Sequence, residues 1–118
     1  MDGFLFWSNV KVKENEKFTL TDDTYIGKFL EKVCVKCEFS ILGKSSVHFP
    51  GGGITLVFVI AESHVAYHSF AEENNFRLEI SSCGKKIDKL RIVEIIFDFF
   101  EIEKIDYGMY RWNDGAII

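Results

Sequence analysis

The stretch Phe76-Arg77-Leu78-Glu79-Ile80-Ser81 alternates apolar and polar residues without a slip. Successive side chains of a strand point to opposite faces, so Phe76, Leu78 and Ile80 share one side and Arg77, Glu79 and Ser81 the other. This implies an antiparallel sheet with one covered face and one more polar face. Downstream, Cys83-Gly84 ends the strand; upstream, Ala71 to Asn75 breaks the pattern, and an extended run reaches back from Phe70 to Glu62. Before it, Ile54-Thr55-Leu56-Val57-Phe58-Val59-Ile60 is rich in β-branched and aromatic residues and reads as a buried strand. Pro50-Gly51-Gly52-Gly53 lies between that strand and an extended segment from Glu38 to Phe49. Three glycines suggest a phosphate cradle, but no Lys-Ser/Thr pair and no helix start follow, so a turn between strands is the better reading.

Moving outward, residues 3 to 12 read as a strand with Phe4, Phe6 and Ser8 on one side and Leu5, Trp7 and Asn9 on the other. The polar run Lys11 to Lys17 is a turn. Thr21-Asp22-Asp23 marks a helix start, because side-chain oxygens cap free backbone N–H groups and acids suit the positive end of the helix dipole. Tyr25, Ile26, Phe29, Leu30, Val33 and Cys37 then follow on one helical face. A second helix is predicted over Ile87 to Phe100, with Leu90, Val93, Ile96, Phe97 and Phe100 as its apolar stripe. Lys104 to Trp112 is extended and returns to the sheet. The order strand, helix, several strands, helix, strand gives an α+β two-layer sandwich, an antiparallel sheet with two helices packed on one face.

The chain has 118 residues, 47% of them apolar, which supports a single domain with a real core. Eighteen aromatic residues, twelve of them Phe, exceed the needs of such a core, so some are candidates for a pocket or a subunit interface. The net charge of -4 comes from interspersed acids and bases; without a Lys/Arg block, nucleic-acid binding is not expected. The opening residues lack the basic region and apolar run of a signal peptide, and no apolar run is long enough to span a membrane, so a cytoplasmic location is the expectation. Cys34, Cys37 and Cys83 are expected as reduced thiols. Cys34 and Cys37 have C-x-x-C spacing but fall inside a helical pattern with no second pair to complete a zinc site, so no metal is expected.

Ser63, His68 and Cys83, with Glu62 and Glu72 nearby, are the side chains in mid-chain suited to catalysis. Each also has an ordinary reading: Ser63 as a turn hydroxyl, His64 and His68 as strand-surface residues, Cys83 as a small residue ending a strand. Spacing by itself does not choose between them.

Ile60-Ala61-Glu62-Ser63-His64-Val65, His68-Ser69-Phe70-Ala71-Glu72 and Cys83-Gly84 together resemble the signature of the prokaryotic S-adenosylmethionine decarboxylases, which typically read I-S-E-S-H-L, H-T-W-P-E and T-C-G at these separations. The resemblance continues upstream through Phe49, Gly53 and the strand Ile54 to Ile60, and covers the chain in length and element order. It implies a self-processing proenzyme cut at Glu62-Ser63 into roughly residues 1–62 and 63–118. Ser63 would attack the Glu62 carbonyl to form an ester, and elimination and hydrolysis would leave a pyruvoyl group, the covalent cofactor derived from Ser63. That group takes the electron-sink role pyridoxal phosphate has elsewhere. The resemblance gives His68 an acid/base role in processing and Cys83 the role of proton donor after decarboxylation. Thr55 stands where the family has a processing serine and keeps its hydroxyl.

By the same resemblance, Phe49 lies against the substrate, Glu72 binds ribose hydroxyls, and Phe70 lines the site where the family has Trp. The departures are Phe70-Ala71 for Trp-Pro, Pro50 displaced beside three glycines, and Gly3-Phe4-Leu5 for the family's G-R-H-type opening. The implied reaction makes decarboxylated S-adenosylmethionine for spermidine synthesis. Arginine or ornithine decarboxylation by the same machinery is the first alternative, and a non-catalytic regulatory homologue the second. A homodimer whose protomers both contribute to each site is implied. One difficulty is geometric: Ser63 and His68, five apart, face opposite sides of a regular strand. Either the scissile peptide lies in a bulge or turn, or a kink precedes His68.

Overall fold

A computed structural model describes residues 2–84 and 87–118. Six strands form one antiparallel sheet: β1 (Gly3–Val12), β2 (Ser40–His48), β3 (Ile54–Ala61), β4 (Ser63–Phe70), β5 (Asn75–Cys83) and β6 (Ile102–Arg111), in the order β2-β3-β4-β5-β1-β6. Two helices, α1 (Asp23–Lys36) and α2 (Lys89–Phe99), cover one face. The expected α+β two-layer sandwich is therefore the observed fold.

The alternation of β5 decides which side is covered. Phe76, Leu78 and Ile80 are buried under the helices with Val65 and Tyr67 of β4 and Phe6 and Val10 of β1. A chain of rings joins the layers: Phe29 of α1 meets Phe76 of β5 edge-on at 5.9 Å and Phe100 at 5.1 Å. Tyr67 donates its hydroxyl to the Leu20 carbonyl at 2.7 Å, fixing the 3-10 turn Thr19–Thr21 to the sheet. Tyr25 of α1 donates to the Phe99 carbonyl at the end of α2.

The start of α1 lies where the acids place it: Asp22 caps the helix, accepting from the Thr24 and Tyr25 N–H groups. Ile26, Phe29, Leu30, Val33 and Cys34 form its buried face, with Tyr25 and Cys37 half-buried beside them. Two expectations need correction. The stripe assigned to α2 is rotated: Ile92, Ile95, Ile96 and Phe100 are buried, whereas Leu90 and Phe97 are exposed. β3 is buried on one face only. Ile54, Leu56, Phe58 and Ile60 face the helices, while Val59 on the other side is 49% exposed.

That other face is left open by both helices. Register places on it Val57 and Val59 of β3, His64, Ala66 and His68 of β4, Arg77, Glu79 and Ser81 of β5, and Leu5, Trp7 and Asn9 of β1. Arg77 bridges Glu79 at 2.6 Å, donates to Asn9 at 2.9 Å and lies over the Trp7 ring.

Candidate active site

Glu62 alone connects β3 to β4, and the Ala61–Glu62 peptide is cis. Ser63 is the first residue of β4 and has φ 127°, a region that side-chain-bearing residues rarely occupy. Of the two arrangements the sequence allowed, the Glu62–Ser63 peptide thus lies at a turn. From Ser63 onward β4 pairs in register with both neighbours as far as His68, so no kink precedes that residue.

Around this turn the strand ends converge. Ser63 pairs with Ser82, and the Cys83 N–H donates to the Glu62 carbonyl at 3.1 Å. Gly84 N–H in turn donates to the Asp2 carbonyl at 2.7 Å, fixing the end of β5 against the start of β1. The Ser63 hydroxyl lies 3.4 Å from Nδ1 of His64. Glu62, Ser63 and Cys83 are therefore brought together, and His64, read from the sequence as a surface residue, joins them. Its signal was adjacency to Ser63, which strand alternation argues against and the positive φ of Ser63 overrides.

The remaining residues gather at the opposite end of the same two strands. Thr55 pairs with His68, and Thr55 Oγ1 lies 3.0 Å from His68 Nδ1 on the open face. The connection from β2 to β3 is the expected glycine turn: Phe49 N–H bonds the Gly53 carbonyl at 2.8 Å, and Gly52 N–H bonds the Phe49 carbonyl at 2.9 Å. Gly52 has φ 97°, which suits glycine, and a Cβ on Gly53 would come within 3.3 Å of the Ser69 carbonyl. Buried Ser69 fastens this turn to β4 by accepting from Ile54 N–H at 2.8 Å. Phe70 leads into the 3-10 turn Ala71–Glu73, and Phe49 and Phe70 are both about half exposed. A cleft of about 210 Å³ opens here, lined by Gly51, Gly53, Ser69, Phe70, Ala71, Glu72 and Glu73. Of these, Ser69 and Glu73 were given no role from the sequence.

Five residues along a strand span about 16 Å. One chain therefore holds Ser63 and Cys83 at one end of β4 and His68, Thr55, Phe70 and Glu72 at the other, and does not bring the two sets into contact. A larger cavity of about 440 Å³ lies elsewhere, between the start of α2 and β6, and none of these residues lines it. No helix among the described residues is long and apolar enough to cross a membrane, and no three metal-ligating side chains cluster among them.

The architecture defines a two-layer α+β protein of the kind seen in solved adenosylmethionine decarboxylases. The structure from Aquifex aeolicus superposes with a TM-score of 0.76 over 92% of this chain and 88% of that one, at 18% identity. The Trypanosoma brucei AdoMetDC-delta26 monomer gives 0.62 over 92% of this chain and 45% of its own, at 11% identity. In sequence, residues 9–111 match the family model described as S-adenosylmethionine decarboxylase. This chain belongs to that family of decarboxylating enzymes. Similar curated proteins named S-adenosylmethionine decarboxylase proenzyme come from Symbiobacterium thermophilum, 26% identical over 83% of this chain and 74% of the relative, and Methanococcus aeolicus, 28% identical over 77% and 78%.

Proposed function

We propose that this chain is a self-processing S-adenosylmethionine decarboxylase, cut at Glu62-Ser63 and active through a pyruvoyl group made from Ser63. The supporting observation is the turn: Ser63 has an unfavoured φ of 127°, and the carbonyl it would attack already accepts a hydrogen bond from Cys83 N–H at 3.1 Å. Such a donor stabilises the charge that develops on a carbonyl oxygen under attack. Backbone held in this region stores about 1–3 kcal/mol, relieved when the bond to Glu62 is cut. The residues thus fit the formation of the group. Once formed, it supplies a carbonyl that binds a substrate amine and takes up the electrons released with carbon dioxide. Cys83 carries the proton returned to the substrate carbon, as the family resemblance assigned it.

The substrate-binding set completes this site from a second copy. Phe49, Phe70 and Glu72 lie beyond reach of Ser63 in one chain, and a cleft of about 210 Å³ is small for a ligand site, ordinarily about 300–1,000 Å³. Two open faces packed about a two-fold axis set the turn end of one sheet against the His68 end of the other. They also cover Val57, Val59 and Trp7. Aromatic faces at Phe49 and Phe70 suit an adenine ring and a sulfonium, and Glu72 suits ribose hydroxyls. The product is the aminopropyl donor for spermidine synthesis, made in the cytoplasm.

Intact mass measurement of the purified protein tests the cut. Two fragments meeting at Glu62-Ser63 are expected from the wild type and one uncut chain from Ser63→Ala. Carbon dioxide release is expected with S-adenosylmethionine and not with arginine or ornithine. An uncut wild type, or turnover of arginine or ornithine alone, would overturn the proposal.

A further inference from the structure

We propose that His64 is the base that takes the Ser63 hydroxyl proton in self-processing, an inference that rests on the cut falling at Glu62-Ser63. Adjacent residues of a regular strand point to opposite faces, which ordinarily separates their side chains. At this step φ of Ser63 is 127°, the alternation fails, and Ser63 Oγ comes within 3.4 Å of His64 Nδ1. His68, the histidine first assigned to processing, lies about 16 Å along the strand in the same chain. Its Nδ1 is already held by Thr55 Oγ1 at 3.0 Å.

With the ring proton on Nε2, Nδ1 of His64 accepts the hydrogen bond from Ser63. As Oγ bonds to the Glu62 carbonyl carbon, its proton passes to Nδ1, and negative charge builds on the Glu62 oxygen, where Cys83 N–H already donates. The Glu62–Ser63 C–N bond then breaks, its electron pair stays on nitrogen, and the Nδ1 proton is returned there. The result is an ester with a free Ser63 amine; no atom or electron is gained or lost. One imidazole serves both transfers, since Oγ and the nitrogen belong to the same residue. His68 is not needed for this step.

The cut is followed by intact mass in freshly translated wild type, His64→Ala, His64→Gln and Ser63→Ala. His64→Ala is expected to cut about 10²–10⁴-fold more slowly, the usual worth of a positioned acid/base group. Its uncut chain is expected to resist hydroxylamine, which cleaves esters and leaves amides, and added imidazole should restore part of the rate. Cutting of His64→Ala at the wild-type rate, or an ester accumulating in it, overturns the inference. Thermal melting matched to that of Ser63→Ala shows that the fold is kept; if His64→Ala melts lower, His64→Gln decides by the same criteria. A wild type that stays uncut would instead sink the processing reading on which this one rests.

Discussion

The proposed chemistry rests on single residues, and they were read from the sequence unevenly. Ser63, Glu62 and Cys83 were legible because linked motifs at fixed separations mark them, and the strand ends do bring them together. The contact between Ser63 and His64 was not legible, because it depends on one backbone angle that no pattern of side chains encodes. Thiols make a testable contrast. Cys34 is buried in the core, and burial pushes its thiol from an ordinary 9.0 up to about 12. A thiol protonated in the folded chain and ionised in the unfolded one lowers stability as pH rises. That contribution is complete below the ordinary value of 9.0 and is lost as pH climbs toward the folded one. Iodoacetamide at pH 8 should therefore leave Cys34 unmodified in the native protein and alkylate it in urea, read by peptide mass; rapid native labelling would contradict its burial. Chemical melting should also weaken between pH 8.5 and pH 10.

Elements were easier to read where the sequence offers one apolar face and harder where it offers two. α1 has a clear cap and a single stripe, and both hold. In α2, seven of eleven residues are apolar, so periodicity alone admits more than one stripe. Packing chose the face with Ile92, Ile95 and Ile96, which meets the sheet beside Phe100, and left Leu90 and Phe97 outside. β3 misled for a related reason. An apolar run describes a strand whose two faces both avoid water, and a single copy covers only one of them. The cap gives a prediction at this scale. Asp22→Ala removes the acceptor for two N–H groups of α1 and should cost about 1 kcal/mol. That corresponds to a melting temperature lower by roughly 4 °C for a domain of this size, measured by calorimetry. Asp22→Ser should recover most of it, whereas no change would mean that water satisfies those groups equally well.

At the scale of the whole molecule, the sequence indicated one domain, the two-layer fold and a dimer, but not why the proposed site would need two copies. The reason is a matter of length, since the two halves of the proposed site lie at opposite ends of β4. Ser63→Ala and Glu72→Ala impair the two halves separately. Mixed dimers of the two variants contain one intact site, so co-refolding should restore about a quarter of wild-type decarboxylation by random pairing, where either variant alone has almost none. No recovery would place the whole site within one chain. The strand order has a consequence of its own. With the chain opened at Glu62-Ser63, β1 belongs to the first fragment but lies between β5 and β6 of the second, while β4 of the second lies against β3 of the first. The fragments are threaded through one another by backbone ladders, so the nick does not release them. It changes molecularity: the uncut chain folds at a rate independent of dilution, whereas the nicked protein, once denatured, must find its other half in solution, and its recovery becomes second order in concentration.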